Sequence, residues 1–101
     1  MSSVIEHDIV RAAVHRVLYA HFNKRPEVTF DVRKVRTLIA QDGIAATDDL
    51  AREADMSALI LETIEDHIIF LWRNGASHTF RRVGVPGAAP AWKYSDTPAA
   101  P

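Results

Sequence analysis

The chain contains no cysteine, and this absence removes several classes of function at once. Disulfide bonds, thiol nucleophiles and zinc–thiolate sites all need a cysteine side chain. At 101 residues and 48% hydrophobic content, the chain is long enough for a modest core without such cross-links. We therefore expect one domain that is stabilised by packing.

Long apolar runs are also missing. The longest, residues 68–72, is far shorter than the roughly 20 residues that a membrane-spanning helix needs. The first ten residues include Glu6 and Asp8 but no Lys or Arg, so they do not resemble a secretory signal. These features predict a cytoplasmic protein without membrane contacts.

Signatures of catalysis and of metal binding are scarce as well. The chain has no glycine-rich phosphate loop and no nucleophile elbow. Glu65, Asp66 and His67 are consecutive, so on a helix they would point apart and could not converge on a substrate. His7 and His15 are two helical turns apart, too far to share one ion. We expect no enzymatic activity, no cofactor, no metal and no small-molecule substrate.

Charge is unevenly distributed although the net charge is only −1. Residues 47–69 contain one base, Arg52, and seven acids. The last 32 residues contain four bases and one acid. This uneven distribution of charge says more about what the chain can bind than its net charge does.

Residues 1–26 are predicted to form an amphipathic helix. Ser3 and Glu6 form a capping box, and the helix should run to about Phe22. The apolar stripe comprises Val10, Ala13, Val14, Val17 and a partly buried His21, whereas the opposite face carries Asp8, Arg11, His15 and Tyr19. Ile5 and Ile9 broaden the apolar surface, so the helix is expected to pack against two neighbours or to help form a dimer.

A second helix is predicted to start at Thr29 or Asp31 and to end at Gly43. Its inward residues are Val32, Val35, Leu38 and Ile39, and its outward residues are Arg33, Lys34 and Arg36. Residues 44–46 form a short extended link. Thr47 then caps a third helix, which has Leu50, Ala51 and Ala54 on its inner face. A tight turn at Asp55, Met56 and Ser57 leads to a fourth helix, which has Leu61 and Ile64 on its inner face.

Two interpretations compete for the residues after Ile64. The fourth helix can continue to Arg73, since Ile60, Ile64, Ile68 and Leu71 have helical spacing and Asn74-Gly75 can cap it. Alternatively, residues 68–73 and 76–83 form a hairpin around Asn74-Gly75, the strongest two-residue hairpin signal. The β-branched and aromatic residues on both sides favour the hairpin. Phe30 and Trp72 are expected in the core.

Over residues 31–83 this pattern resembles the winged helix-turn-helix domains of MarR-like and ArsR-like bacterial regulators. The resemblance implies a mainly α fold with a small β-hairpin: a winged-helix-like domain at residues 27–83, preceded by the N-terminal helix. Residues 84–101 are rich in Pro, Ala and Gly and are expected to form a flexible tail, with Trp92 and Tyr94 as anchors on the domain or on a partner.

In that family the second helix of the motif enters the major groove. Here its outward positions include carboxylates and no base, which phosphates would repel. We therefore expect a protein-interaction or dimerisation module whose contact residues are Leu59, Glu62, Glu65, Asp66 and Trp92. The alternative is a DNA-binding regulator that contacts the duplex through a basic wing and a second basic patch, using Arg33, Lys34, Arg36, Arg73, His78, Arg81 and Arg82.

Overall fold

A computed structural model describes residues 7–41, 50–84 and 87–96. Helix α1 spans His7–Val17 and continues as a π-helical segment, Leu18–Phe22. Strand β1 (Thr29–Asp31) and helix α2 (Val32–Gln41) follow. Helix α3 (Leu50–Arg73) is the longest element, and β2 (Thr79–Val83) and β3 (Ala91–Ser95) complete the described fold. The protein is therefore mainly α with a small antiparallel sheet.

The three strands pair in the order β1-β3-β2, with both pairings antiparallel. Phe30 lies opposite Trp92, and Phe80 lies opposite Tyr94. Because directly paired residues share a face of the sheet, these rings form one apolar face. All four side chains are buried.

The core lies between this face of the sheet and the helices. Phe22 stacks on Phe30 with ring centroids 4.2 Å apart, which joins the end of the π segment to β1. The inner faces of α1 and α3 supply most of the aliphatic side chains, and the predicted α1 stripe is confirmed because Val10, Ala13, Val14 and Val17 are all buried. His21 is half-buried, also as predicted.

Helix α2 begins where the sequence indicated, directly after Asp31. The Asp31 carboxylate accepts a hydrogen bond from the backbone N–H of Lys34 at 2.8 Å, which caps the first turn. Val35 and Ile39 are buried, and Val32 and Leu38 are partly buried against the core. The three residues before the helix form β1, a strand that the sequence pattern does not predict because so short a segment has no periodicity to detect.

The predicted turn at residues 55–57 is wrong, because α3 runs through it without a break. This segment contains neither Gly nor Pro, the residues that most strongly interrupt a helix. Met56, Ile60 and Ile64 are buried at four-residue spacing on one face, so a single helix buries them together. Ala54, predicted to face inward, is exposed.

The predicted hairpin around Asn74-Gly75 is also wrong, and the competing prediction of a helix to Arg73 is confirmed. Gly75 has φ of 65°, and its N–H donates to the carbonyl of Trp72 at 3.2 Å. The N–H of Ala76 donates to the carbonyl of Leu71 at 3.0 Å. These two bonds form a Schellman cap. Asn-Gly favours a left-handed backbone, which both a hairpin turn and a helix cap use, so the dipeptide alone does not distinguish them.

The hairpin in the structure is formed by β2 and β3, and this corrects the prediction of a flexible tail from residue 84 onward. Ala91–Ser95 is the central strand of the sheet. Trp92 and Tyr94 alternate with the exposed Lys93, and this period of two was the strand signal within a Pro- and Ala-rich context. Of the two anchoring roles considered, packing on the protein's own domain is the one that the structure shows.

Several predictions fall outside the described residues. These are the capping box at Ser3 and Glu6, the helix stop at Gly43, the link at residues 44–46 and the cap at Thr47. Within the described ranges, no helix combines the length and apolarity needed to cross a membrane.

Candidate functional site

The seam between α1 and α3 brings together side chains that are far apart in the sequence. Arg11 on α1 donates to Glu62 at 3.0 Å and to Asp66 at 3.5 Å. Glu62 and Asp66 are four residues apart, so they lie on adjacent turns of α3 and can hold one guanidinium group. All three side chains keep substantial contact with solvent, and the charged end of the seam is therefore at the surface.

Further along the same seam, the contacts between α1 and α3 are made by aromatic rings and not by charged groups. The His15 and His67 ring centroids are 4.8 Å apart, and the Tyr19 ring meets His67 edge-on at 5.7 Å. The ring of Phe70 is nearly parallel to that of His67, with centroids 6.4 Å apart. Tyr19 and Phe70 remain 45% and 59% exposed, so they form an aromatic surface around a buried imidazole.

His67 itself is 7% exposed, and its Nε2 has no hydrogen-bond partner among the described residues. Its ring also lies 6.3 Å from that of Phe80 on β2, so α1, α3 and the sheet meet at this side chain. Burial, and then the nearby charges of His15 and His78, lower the pKa of His67 to about 4. The imidazole is therefore neutral at neutral pH.

A second polar group without a partner lies close by. The His78 ring stacks on that of Tyr94 at 5.7 Å, and its Nε2 is buried without a partner in the described part of the chain. The hydroxyl of the neighbouring Thr79 is in the same situation. His15, which is more exposed, has its pKa lowered by burial and then by the charge of Arg11.

The outward face of α3 has a different character. Its exposed residues include Asp55, Glu62, Glu65 and Asp66, and residues 54–72 contain no Lys or Arg. Trp72 lies at the end of this face and is 46% exposed, which corrects the expectation that it is a core residue. The outward face of α3 therefore presents a row of carboxylates, and a large aromatic side chain, Trp72, follows them at the C-terminal end of the helix.

The structure divides the five predicted interaction residues. Glu62, Glu65 and Asp66 are exposed as expected. Leu59 and Trp92 are only 6% and 2% exposed, so neither is available to a partner. The predicted turn orients Leu59 outward, whereas the continuous α3 buries it in the core. A flexible tail would leave Trp92 free for a partner, whereas β3 buries it in the sheet.

The predicted DNA-contacting residues lie in separate places. Lys34 donates to the backbone carbonyl of Thr29 at 3.5 Å, which puts the α2 group near edge strand β1. Arg81 and Arg82 lie on β2, the opposite edge of the sheet, and as consecutive strand residues they point to opposite faces. Of the others, Arg33 and Arg73 are exposed, whereas Arg36 and His78 are half-buried.

The sequence contains a pattern that places His67 at the seam, but the prediction of two helices separated by a turn obscures it. Ile60, Ile64, His67 and Leu71 follow helical spacing, which places His67 on the buried face once α3 is continuous. Among the described side chains, no group of three or more His, Cys, Asp or Glu is arranged to hold a metal ion. Compared with protein-family models, with curated proteins and with solved structures, the chain matches none of them.

Proposed function

We propose that the chain is a non-enzymatic protein-interaction module with a winged-helix-like frame, which binds a partner through the outward face of α3. The frame is supported by the order of elements. The resemblance implies a helix, an extended link, two helices joined by a turn, and a hairpin. The observed order is α1, β1, α2, α3 and the β2–β3 hairpin. In this assignment α2 and α3 take the place of the two helices predicted on either side of residues 55–57, and the β2–β3 hairpin takes the place of the wing.

The observation that carries the function is the sign of charge on α3. A helix that enters a DNA groove needs bases on its outward positions to neutralise phosphates. Residues 54–72 instead present exposed carboxylates and contain no Lys or Arg. A partner with basic groups matches this face, since opposite potentials attract across an interface and speed association.

Trp72 provides an apolar contact for a partner beside the charged residues of α3. Exposed tryptophan side chains are over-represented among the residues that dominate binding energy. Trp72 lies on the same outward side of α3 as Glu65, because the two are seven residues, or about two helical turns, apart. An acidic helix face next to an aromatic anchor fits a partner segment that combines bases with an apolar side chain.

The test is quantitative affinity purification of the tagged protein from its native cells, with and without nuclease. We expect a nuclease-resistant partner whose recovery falls at least tenfold with Trp72→Ala and with Glu62→Lys combined with Glu65→Lys. Glu27→Lys is the matched control, since Glu27 is an exposed acid away from α3. Unchanged recovery with both α3 variants, or absence of any enriched protein together with a strictly monomeric chain in sedimentation, would contradict the proposal.

Binding of duplex DNA is the second candidate. It is favoured by the sheet register, which pairs Arg81 with Lys93 on the outer face of the sheet. This function predicts a salt-sensitive mobility shift that weakens with Arg81→Ala and Lys93→Ala together. Glu62→Lys should strengthen such a shift, whereas it should weaken a protein interaction. The same variant therefore separates the two functions by the sign of its effect.

A further inference from the structure

His67 occupies the point where three parts of the fold meet. Its ring contacts His15 on α1, Tyr19 on the π segment and Phe80 on β2. His67 is only 7% exposed, and its Nε2 has no hydrogen-bond partner among the described residues. A neutral imidazole tolerates this apolar setting far better than a charged one.

The groups that face His67 offer no compensation for a positive charge. Helix α1 contributes His15 and, beyond it, Arg11, while the segment before β2 contributes His78. The π segment contributes the ring of Tyr19, and the sheet contributes Phe80 with Tyr94 behind it. The carboxylates of Glu62 and Asp66 on α3 are already bound to Arg11.

We propose that this junction is a proton-sensitive latch, which holds α1 against α3 while His67 is neutral and releases it when His67 is protonated. The inference is independent of the proposed function, because it concerns the packing of α1 and needs no partner. Protonation would place an unpaired charge between two other imidazoles in a buried site. Moving α1 away exposes the ring to water, so the open state binds the proton more tightly than the closed one.

The lowered pKa of His67, about 4, agrees with this geometry. In the open state the group recovers a pKa near its ordinary 6.5. Proton uptake therefore favours opening progressively as the pH falls from 6.5 towards 4. The aromatic surface of Tyr19 and Phe70, which packs on His67, would separate at the same time.

The absence of cysteine allows a direct test by site-specific spin labelling. Ala12→Cys and Ala58→Cys place one label on the exposed face of each helix. At pH 7.5 we expect a single distance population. At pH 4.5 a second, longer population should appear in this background and in a His7→Phe control, but not with His67→Phe. Equal lengthening with His67→Phe, or no lengthening down to pH 4, would overturn the proposal.

A second variant keeps the test decisive if His67→Phe does not fold. His15→Gln removes a positive charge that opposes protonation of His67, and His15 is exposed, so the fold should tolerate it. The midpoint of opening should then change, because the closed state accepts a proton more readily. We expect it to move to lower pH by roughly half a unit. An unchanged or higher midpoint would contradict the latch.

Discussion

Phe22 and Phe30 stack with an interplanar angle of 14° and bind the end of the π segment to the edge strand of the sheet. Both rings are 1% exposed, and Phe30 also contacts the rings of Phe80 and Trp92. Phe30 is therefore the residue through which the helical layer and the three-stranded sheet share one core.

The first prediction concerns this ring. Phe30→Ala should lower the free energy of unfolding by about 3–5 kcal/mol, since it leaves a cavity and removes three aromatic contacts. Urea unfolding followed by circular dichroism measures the loss. Phe70→Ala is the matched control, because Phe70 is 59% exposed and its removal should cost less than about 1 kcal/mol. Similar losses for the two variants would contradict the described core.

A second prediction tests the end of α3. Gly75 has φ of 65°, and a Cβ added there would meet no atom within 4 Å. Gly75→Ala should therefore destabilise the protein through backbone strain alone, by about 1 kcal/mol. Gly75→Asn should cost less, because asparagine tolerates the left-handed region better. Equal stability of all three proteins in urea unfolding would show that this cap is not formed as described.

These two regions show how far the sequence could predict the fold. The α1 stripe and the start of α2 directly after Asp31 follow from periodicity and capping, which are local. The mainly α class with a small hairpin is what the resemblance implies, but the hairpin forms from β2 and β3 and not from residues 68–83. The continuous helix after Met56 does not follow from such local signals. Local signals at Asp55 and at Asn74-Gly75 each fit two structures, and burial of Ile60, Ile64 and His67 on one continuous face decided between them.

The candidate site was predictable in its charges but not in its assembly. Glu62, Glu65 and Asp66 were correctly expected at the surface, since carboxylates are rarely buried without partners. Contact between Arg11 and the pair on α3 spans more than 50 residues and depends on how α1 packs, which no short-range pattern specifies. Trp72 was expected in the core and is exposed, whereas Trp92 was expected to be available to a partner and is buried. Both differences arise because the burial of each residue depends on whether its segment forms a helix, a strand or a tail.

The third prediction is the dependence of stability on pH. Because His67 is harder to protonate in the folded state, the unfolded chain takes up more protons between pH 6.5 and 4. This contribution to stability is complete above pH 6.5 and is lost as the pH falls towards 4, by about 2–3 kcal/mol. The thermal midpoint should fall over this range and should fall less with His67→Phe. A variant that follows the original protein across the whole range would show that other groups cause the loss.

The last prediction separates the two effects of Arg11. Its ion pairs with Glu62 and Asp66 are solvent-exposed, so Arg11→Met should cost less than about 1 kcal/mol of stability, and added salt should reduce even that. Its charge also helps to lower the pKa of His15, although burial contributes more. Arg11→Met should therefore raise the pKa of His15 towards 6.5 in an NMR titration. Arg16→Met is the control, as Arg16 is an exposed base one position from His15 that does not contribute to this shift. A His15 titration that responds equally to both substitutions would mean that total charge, and not the guanidinium at the seam, sets the pKa of His15.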